Sequence, residues 1–449
     1  MRLHRSILMF LLGLPFMLCS VVFGQTGDNN KVLSNASLQE VIHYALINKP
    51  GVKQALIDEE IGERDIKSAL SGWLPQINGS ANYNYNLKQQ QSTLTFNGET
   101  SLLIVGTKYT SAMTLQADQK FLDAGLIQAS KASKYYRLQY KESTESAKIS
   151  TVVEVSKAYF DILTSKEQLN IINENIARLE KQFKDSHAQY DVGLVDKTDY
   201  QRAQISLSNS KADRKRAEEL MKYKYAYLKQ LIGYSSDKDI SLNFDTMRME
   251  NEVLLDTNQA RNYENRVEYR LLQTQKKLQQ LNTSYNKWAY LPTIAGFINY
   301  NWNYQNNNFK DLYNTNYPSS LFGLTLNLPI FQGTKRTQEI RKSELQEKRI
   351  DLDLYNTRNQ INAQYEQAIA TYKANLNDWK TTFANVELSK QVYNIIKQQY
   401  DEGIKTYLDL MTAETDLRTT QLNYLNSLYS LLSSKLDVQQ ALGTIIVNQ

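Results

Sequence analysis

Few side chains in this sequence are placed to do covalent or metal chemistry. The only cysteine is Cys19, and two of the three histidines, His43 and His187, stand isolated along the chain. A zinc site takes three or four nitrogen, sulfur or oxygen ligands, so neither histidine marks one. Adjacent acids such as Glu59-Glu60 and Glu218-Glu219 could form an acid/base couple. Lysines and arginines surround them, which reads instead as solvated helix charge. G-x-x-x-x-G-K-S/T, G-x-S-x-G and H-E-x-x-H are all missing. The 30 tyrosines could stack a ligand, but their spacing assigns them to helix seams and a membrane-interface girdle. The reading is a protein that is not an enzyme and takes no cofactor.

The elements that carry these residues follow from what is scarce. The 449 residues include only 17 glycines and 6 prolines, which favours long uninterrupted helices over a string of compact domains. Lys+Arg 52 against Asp+Glu 47 leaves +5, with both signs interspersed. That excess is too small to argue for nucleic acid. Arg2 and Arg5 precede an apolar run from Ile7 to Phe23, and Val22-Phe23-Gly24 precedes Gln25. Residues 1–24 therefore read as a secretory signal, leaving 25–449 with a balance of +3. Cys19 falls inside that signal, and Leu18 before it is too large for a lipid-anchor motif. No later stretch approaches the ~20 apolar residues of a spanning helix.

The two halves of the chain repeat. Tyr190-Asp191-Val192-Gly193-Leu194 matches Tyr400-Asp401-Glu402-Gly403-Ile404 about 210 residues on, and Leu231-Ile232-Gly233 matches Ala441-Leu442-Gly443. Trp73-Leu74-Pro75 matches Tyr290-Leu291-Pro292. Repeat one covers about 37–233 and repeat two about 260–443. Between Leu126 and Val192, and again between Thr334 and Glu402, there is no glycine or proline. Val152, Val155, Tyr159 and Ile162 in the first run, and Ile361, Tyr365, Ile369 and Tyr372 in the second, recur at steps of three or four. This is a coiled-coil seam, and some 65 residues of helix reach about 100 Å. Shorter helices are expected at Ser37–Trp73, Thr198–Leu231, Asn262–Tyr290 and Lys405–Leu442. Stacked in pairs, they would match the long helices in length.

Residues 76–120 and 293–331 carry a different period. Ile77, Gly79, Ala81, Tyr83, Tyr85 and Leu87 alternate with Asn78, Ser80, Asn82, Asn84 and Asn86. Tyr109–Ala117, Ile294–Tyr304 and Phe322–Ile330 alternate likewise, with aromatic residues toward one end. Four such segments suit membrane β-strands. A soluble hairpin with one buried face is the other reading. In lipid, four strands leave two edges that only further copies could close. Two copies give a filled eight-stranded barrel, and three give twelve strands around a lumen.

The sequence resembles the TolC-like outer-membrane efflux proteins. Ser37-Leu38-Gln39-Glu40 with Ala45 and Asn48-Lys49-Pro50, Trp73-Leu74-Pro75 and Pro329-Ile330-Phe331-Gln332-Gly333 carry the resemblance. The two turn signatures, Tyr190 to Ala203 and Tyr400 to Ala413, are its most specific part. The resemblance implies mixed α and membrane-β structure, a trimer with a 12-stranded β-barrel continued by an α-helical barrel. It would sit in the outer membrane of a Gram-negative bacterium with the helices in the periplasm. A periplasmic adaptor and an inner-membrane pump would be its partners, in drug efflux or type I protein secretion. Val192, Gly193 and Leu194, with Gly403 and Ile404, would touch the adaptor. Tyr400 with Asp199, and Lys405 with Thr198, would hold the periplasmic mouth shut. Asp409 would ring the entrance and favour cations, while Thr412 stands where the family has a second acid. An exported coiled-coil tether or adhesin without a channel remains the alternative from a different class. Metal-ion efflux is the weaker transport reading, because two histidines and few methionines offer no ligand-rich path.

Overall fold

The computed structural model describes residues 33–96, 98–243, 253–256 and 262–447. The signal expected at 1–24, with Cys19, lies outside the described residues. Among the described residues there are seven α-helices and six strands. In chain order they are α1 Leu38–Asn48, α2 Pro50–Leu70, β1 Gln76–Tyr85, β2 Gln90–Phe96, β3 Glu99–Val105 and β4 Tyr109–Leu122. There follow α3 Ala124–Asp191, α4 Lys197–Ile232, α5 Val267–Trp288, β5 Thr293–Asn306, β6 Ser319–Asn327, α6 Lys335–Asp401 and α7 Tyr407–Leu442.

The breaker-free runs form single helices of 68 and 67 residues, α3 and α6. Their apolar seams face the shorter helices: α1, α2 and α4 lie along α3, while α5 and α7 lie along α6. The helix expected over Ser37–Trp73 is in fact two. Pro50 cannot donate to the carbonyl ladder, so α1 stops at Asn48 and α2 restarts with Pro50 in its first turn. Ser37 starts α1 through a reciprocal capping box with Glu40. Beside the kink, Lys49 Nζ meets Glu154 Oε2 on α3 at 2.7 Å.

The main core lies where α1, α3, α4, α6 and α7 converge. Val155 and Ile162 of α3, Leu228 and Ile232 of α4, Tyr372 of α6 and Leu431 of α7 are buried together there. The Tyr372 phenol is satisfied on both sides: it donates to the Val253 carbonyl at 3.0 Å and accepts from Leu255 N–H at 3.0 Å.

Four strands form one antiparallel sheet in the order β1-β4-β5-β6. They coincide with the four alternating segments. Register puts Ile77, Ala117, Ile298 and Phe322 in one cross-strand row, and Ala81, Met113 and Trp302 in another. The opposite face carries the asparagines. Strands β1 and β6 have no partner on their outer sides among the described residues. Sequence reading did not anticipate β2 and β3, which pair only with each other. They lack clean alternation, because Leu102, Leu103, Ile104 and Val105 run consecutively and all four are exposed.

Candidate functional site: the helix tips

At the far end of the helices from the sheet, each long helix reverses into a short one. Both reversals use the same hydrogen bonds. Gly193 N–H donates to Tyr190 O at 2.9 Å and Leu194 N–H to Gln189 O at 2.8 Å; Gly403 N–H donates to Tyr400 O at 2.9 Å and Ile404 N–H to Gln399 O at 2.8 Å. This is a Schellman closure, which needs a left-handed residue just past the helix. Gly193 supplies φ +76° and Gly403 φ +78°. A Cβ at either would meet nothing within 4 Å, so backbone conformation, not space, selects glycine. The closure pushes its neighbours outward: Val192 is 70% exposed, Leu194 75% and Ile404 67%. Apolar side chains held in water by a rigid turn form a surface suited to a partner.

The helices that follow begin on side-chain caps. Asp196 accepts from Thr198 N–H at 3.2 Å to start α4. Thr406 and Asp409 start α7 with a capping box, Thr406 N–H and Oγ1 both donating to Asp409 Oδ2 at 3.0 and 2.8 Å. Those bonds hold the Asp409 carboxyl below the usual aspartate range, with help from the nearby Lys405 charge. Asp409 is therefore ionised and fixed in position at the tip.

A family model for outer membrane efflux proteins matches residues 41–234 and 282–444, which include both tips and both long helices. The chain belongs to the outer membrane efflux protein family. TolC of Vibrio cholerae serotype O1 is 24% identical over 425 residues, covering 91% of each chain. TolC of Escherichia coli K12 is 22% identical over 451 residues, covering 95% of this chain and 86% of that one. The outer membrane channel CmeC of Campylobacter jejuni shares the fold with a TM-score of 0.71 at 18% identity, over 92% of this chain and 87% of CmeC. A tether or adhesin without a channel finds no support among these relatives. The efflux-family chain is a transport protein of the outer membrane and not an enzyme.

Of the pairs expected to latch this efflux protein, Tyr400 with Asp199 is near enough to interact electrostatically and is not in direct contact. The Tyr400 phenol is pushed above its ordinary pKa by burial first and then by the facing charge of Asp199. No hydrogen bond joins these two side chains, and none joins Lys405 to Thr198, among the described residues of the single chain. Thr198 is engaged through its backbone with Asp196 instead, and Lys405 N–H donates to Gln399 O at 3.2 Å.

Sequence reading missed a buried polar node just behind the tips. Glu414 of α7, only 3% exposed, accepts from Arg178 Nε at 3.1 Å and from Gln182 Nε2 at 2.8 Å, both on α3. The Arg178 guanidinium lies 5.8 Å from the Tyr393 ring centre on α6. One node thus ties α3 to α6 and α7. Farther along, Arg418 Nη1 meets Asp213 Oδ2 at 3.4 Å, and Lys157 Nζ meets Asp437 Oδ1 at 2.6 Å. A signal for the node existed: Glu414 follows Tyr407 and Leu410 at seam spacing, where an acid is out of place unless paired.

Proposed function

We propose that three copies close into an outer-membrane exit duct, passively conducting cargo that an inner-membrane pump and a periplasmic adaptor deliver. The observation that carries this reading is the β1-β4-β5-β6 sheet, apolar on one face and polar on the other, with both edges open. Lipid cannot satisfy those edges, so β1 of one copy pairs with β6 of the next until twelve strands close. The helices then form a second barrel, about 100 Å long, in the periplasm. Residues 1–24 act as the export signal, and two tandem repeats, about 37–233 and 260–443, build the protomer. The matching closures at Gly193 and Gly403, and at Gly233 and Gly443, support that duplication.

The tips divide the labour. Val192, Gly193 and Leu194, with Gly403 and Ile404, form the adaptor surface. Tyr400 and Asp199, with Lys405, Thr198 and the Asp409 ring, form the periplasmic gate. The Tyr400 phenol lies within the field of Asp199, and a closing movement that brought the two into contact would make a charge-assisted bond of about 1.5–3 kcal/mol. Three such bonds would hold a tube shut and yield to an adaptor that prefers the open form. The Lys405 charge helps to lower the Asp409 pKa, so the two charges share the second tip.

Planar-bilayer recording tests the reading. Wild-type trimers should conduct in small steps, and Tyr400→Phe with Lys405→Ser should raise single-channel conductance severalfold. A double variant that forms trimers and conducts like wild type would remove these residues from the gate. A chain that fractionates as a soluble monomer would overturn the duct itself.

A further inference from the structure

The polar face of the sheet takes no part in the gate or the adaptor surface, and its central rows carry amides and hydroxyls. One central row across the strands reads Ser80, Thr114, Asn301, Ser319; the next row outward carries Asn82 and Asn303. These side chains bond sideways to one another. Thr114 Oγ1 donates to Asn301 Oδ1 at 2.7 Å, and the amides of Asn301 and Asn303 both donate to Ser319 Oγ at 3.3 Å. Asn82 Oδ1 accepts from Ala112 N–H at 3.1 Å. The belt is therefore fixed in place, and it is neutral. On this face of β1, β4, β5 and β6 the ionisable residues are Asp118 and Lys120, both near the helix end of β4. Lys120 is paired there with Asp123 at 3.1 Å; Asp118 accepts from Gln116 at 2.8 Å and keeps its charge, four residues and about 13 Å along the strand from Thr114.

A membrane barrel turns its apolar face to lipid and its polar face to the lumen. The row containing Met113 and Trp302 is thus the outer wall, and the amide belt lines the path. Rings of acid or base in such a wall select ions by sign. A belt of amides and hydroxyls offers both donors and acceptors and carries no formal charge. We propose that the barrel section of this duct, centred on Asn301, does not discriminate by charge, so that cationic, anionic and neutral polar cargo cross it alike. Charge selection is left to the helical section. This rests on the trimeric-barrel reading.

The test uses the full mature chain in planar bilayers at 0.1 M salt, where screening reaches about 10 Å and a lumenal charge is still felt. With Cys19 in the leader, the mature chain is free of cysteine, and Asn301→Cys and Trp302→Cys each introduce a single thiol. Methanethiosulfonates bearing a quaternary ammonium or a sulfonate are the probes, each rate divided by that reagent's rate with a free thiol in solution. Asn301→Cys should react with both at similar normalised rates, with a fall in conductance, and Trp302→Cys with neither. Asn301→Asp should raise the potassium-to-chloride permeability ratio severalfold, and Asn301→Lys should lower it. Reaction at Trp302→Cys but not at Asn301→Cys would overturn the barrel reading. Reaction at Asn301→Cys with a preference for one charge above about tenfold would leave the barrel standing and overturn the charge-blind belt. An unchanged ratio in Asn301→Asp would also overturn it, by showing that the belt is not where ions feel the wall.

Discussion

At the end of α3 the chain turns through Val192, Gly193 and Leu194; at the end of α6 it turns through Glu402, Gly403 and Ile404. The backbones close alike, to within 2° in glycine φ and with equal hydrogen-bond lengths. What surrounds them differs. Behind the first tip, Tyr200 packs on Tyr190 and His187, with ring centres 5.0 and 5.1 Å away, while the His187 ring reaches Asp191 at 3.0 Å. These contacts stay within one hairpin. Behind the second tip, Tyr400 and Tyr407 lie against the Glu414 node, which crosses to α3. The two tips stop their helices in the same way, and the side chains one or two turns behind each set what it touches. The aromatic contacts behind the first tip stay local, while those behind the second adjoin a node that crosses to α3.

The largest expected effect comes from cutting that coupling. Glu414→Ala leaves Arg178 with only the exposed Glu174 carboxylate at 3.9 Å, and removing one member of a buried pair costs about 3 kcal/mol. Arg178 keeps a quarter of its side chain in water, which places the loss at the low end of that range. The melting temperature of the helical circular-dichroism signal in detergent should fall clearly. Arg178→Met with Glu414→Leu should recover most of the loss, since an apolar pair of similar volume replaces the ions. A double variant as unstable as Glu414→Ala would show that the node is held by more than this pair.

Glycine substitutions rank next and separate turn formation from close packing. Gly233, φ +69°, would place a Cβ 2.5 Å from the Asn48 carbonyl at the α1–α2 kink. Gly193→Ala should cost about 1 kcal/mol for the left-handed backbone alone. Gly233→Ala should cost about 2–3 kcal/mol, because the collision adds to the same strain. Equal losses in thermal melts would mean that the kink yields freely and does not fix where α4 ends.

How much of this was legible depends on whether a feature is local or assembled. The long helices were plain from glycine and proline scarcity, and the membrane strands from their period of two. The break at Pro50 was also in the sequence, but a short expected helix absorbed it. The β2–β3 hairpin was not legible, because Leu102 to Val105 have no alternation to read. The tips were legible through glycine spacing and family resemblance together. Of the Glu414 node only the acid at a seam position was legible, since its partners are more than 200 residues away and only packing of α7 on α3 joins them.

Adaptor binding should separate the tips without touching stability. Leu194 and Ile404 are both exposed, so replacing either by Asp should change folding by less than about 0.5 kcal/mol. Leu194→Asp should weaken capture of the adaptor by about 2 kcal/mol, roughly 30-fold, as loss of an apolar anchor does. Ile404→Asp, beside Glu402, should weaken it less. Crosslinking to the adaptor and antibiotic susceptibility read the difference, and equal losses would show that the two tips dock as equivalents.

The smallest effect distinguishes the two tyrosines of the second tip. Tyr407 is 4% exposed, and its phenol oxygen has no hydrogen-bond partner among the described residues. Its ring still meets Tyr400 edge-on at 6.2 Å, so Tyr407→Phe keeps the contact and removes only an unsatisfied hydroxyl. That change should stabilise by up to about 1 kcal/mol, the reverse of what loss of a bonded hydroxyl would do. Burial, then the Glu414 charge, raise the phenol's pKa above its ordinary 10.0. Above pH 10 the unfolded chain can release this proton while the folded chain retains it. Folding stability therefore falls as pH rises through that range, and the Phe variant lacks this share of the fall. The advantage of Tyr407→Phe in thermal melts should be modest at pH 7 and wider at pH 10.5, with conductance unchanged at both. A Phe variant that is less stable at pH 7 would mean that the hydroxyl finds a partner in a neighbouring copy, and Tyr407 would then join Tyr400 in the latch.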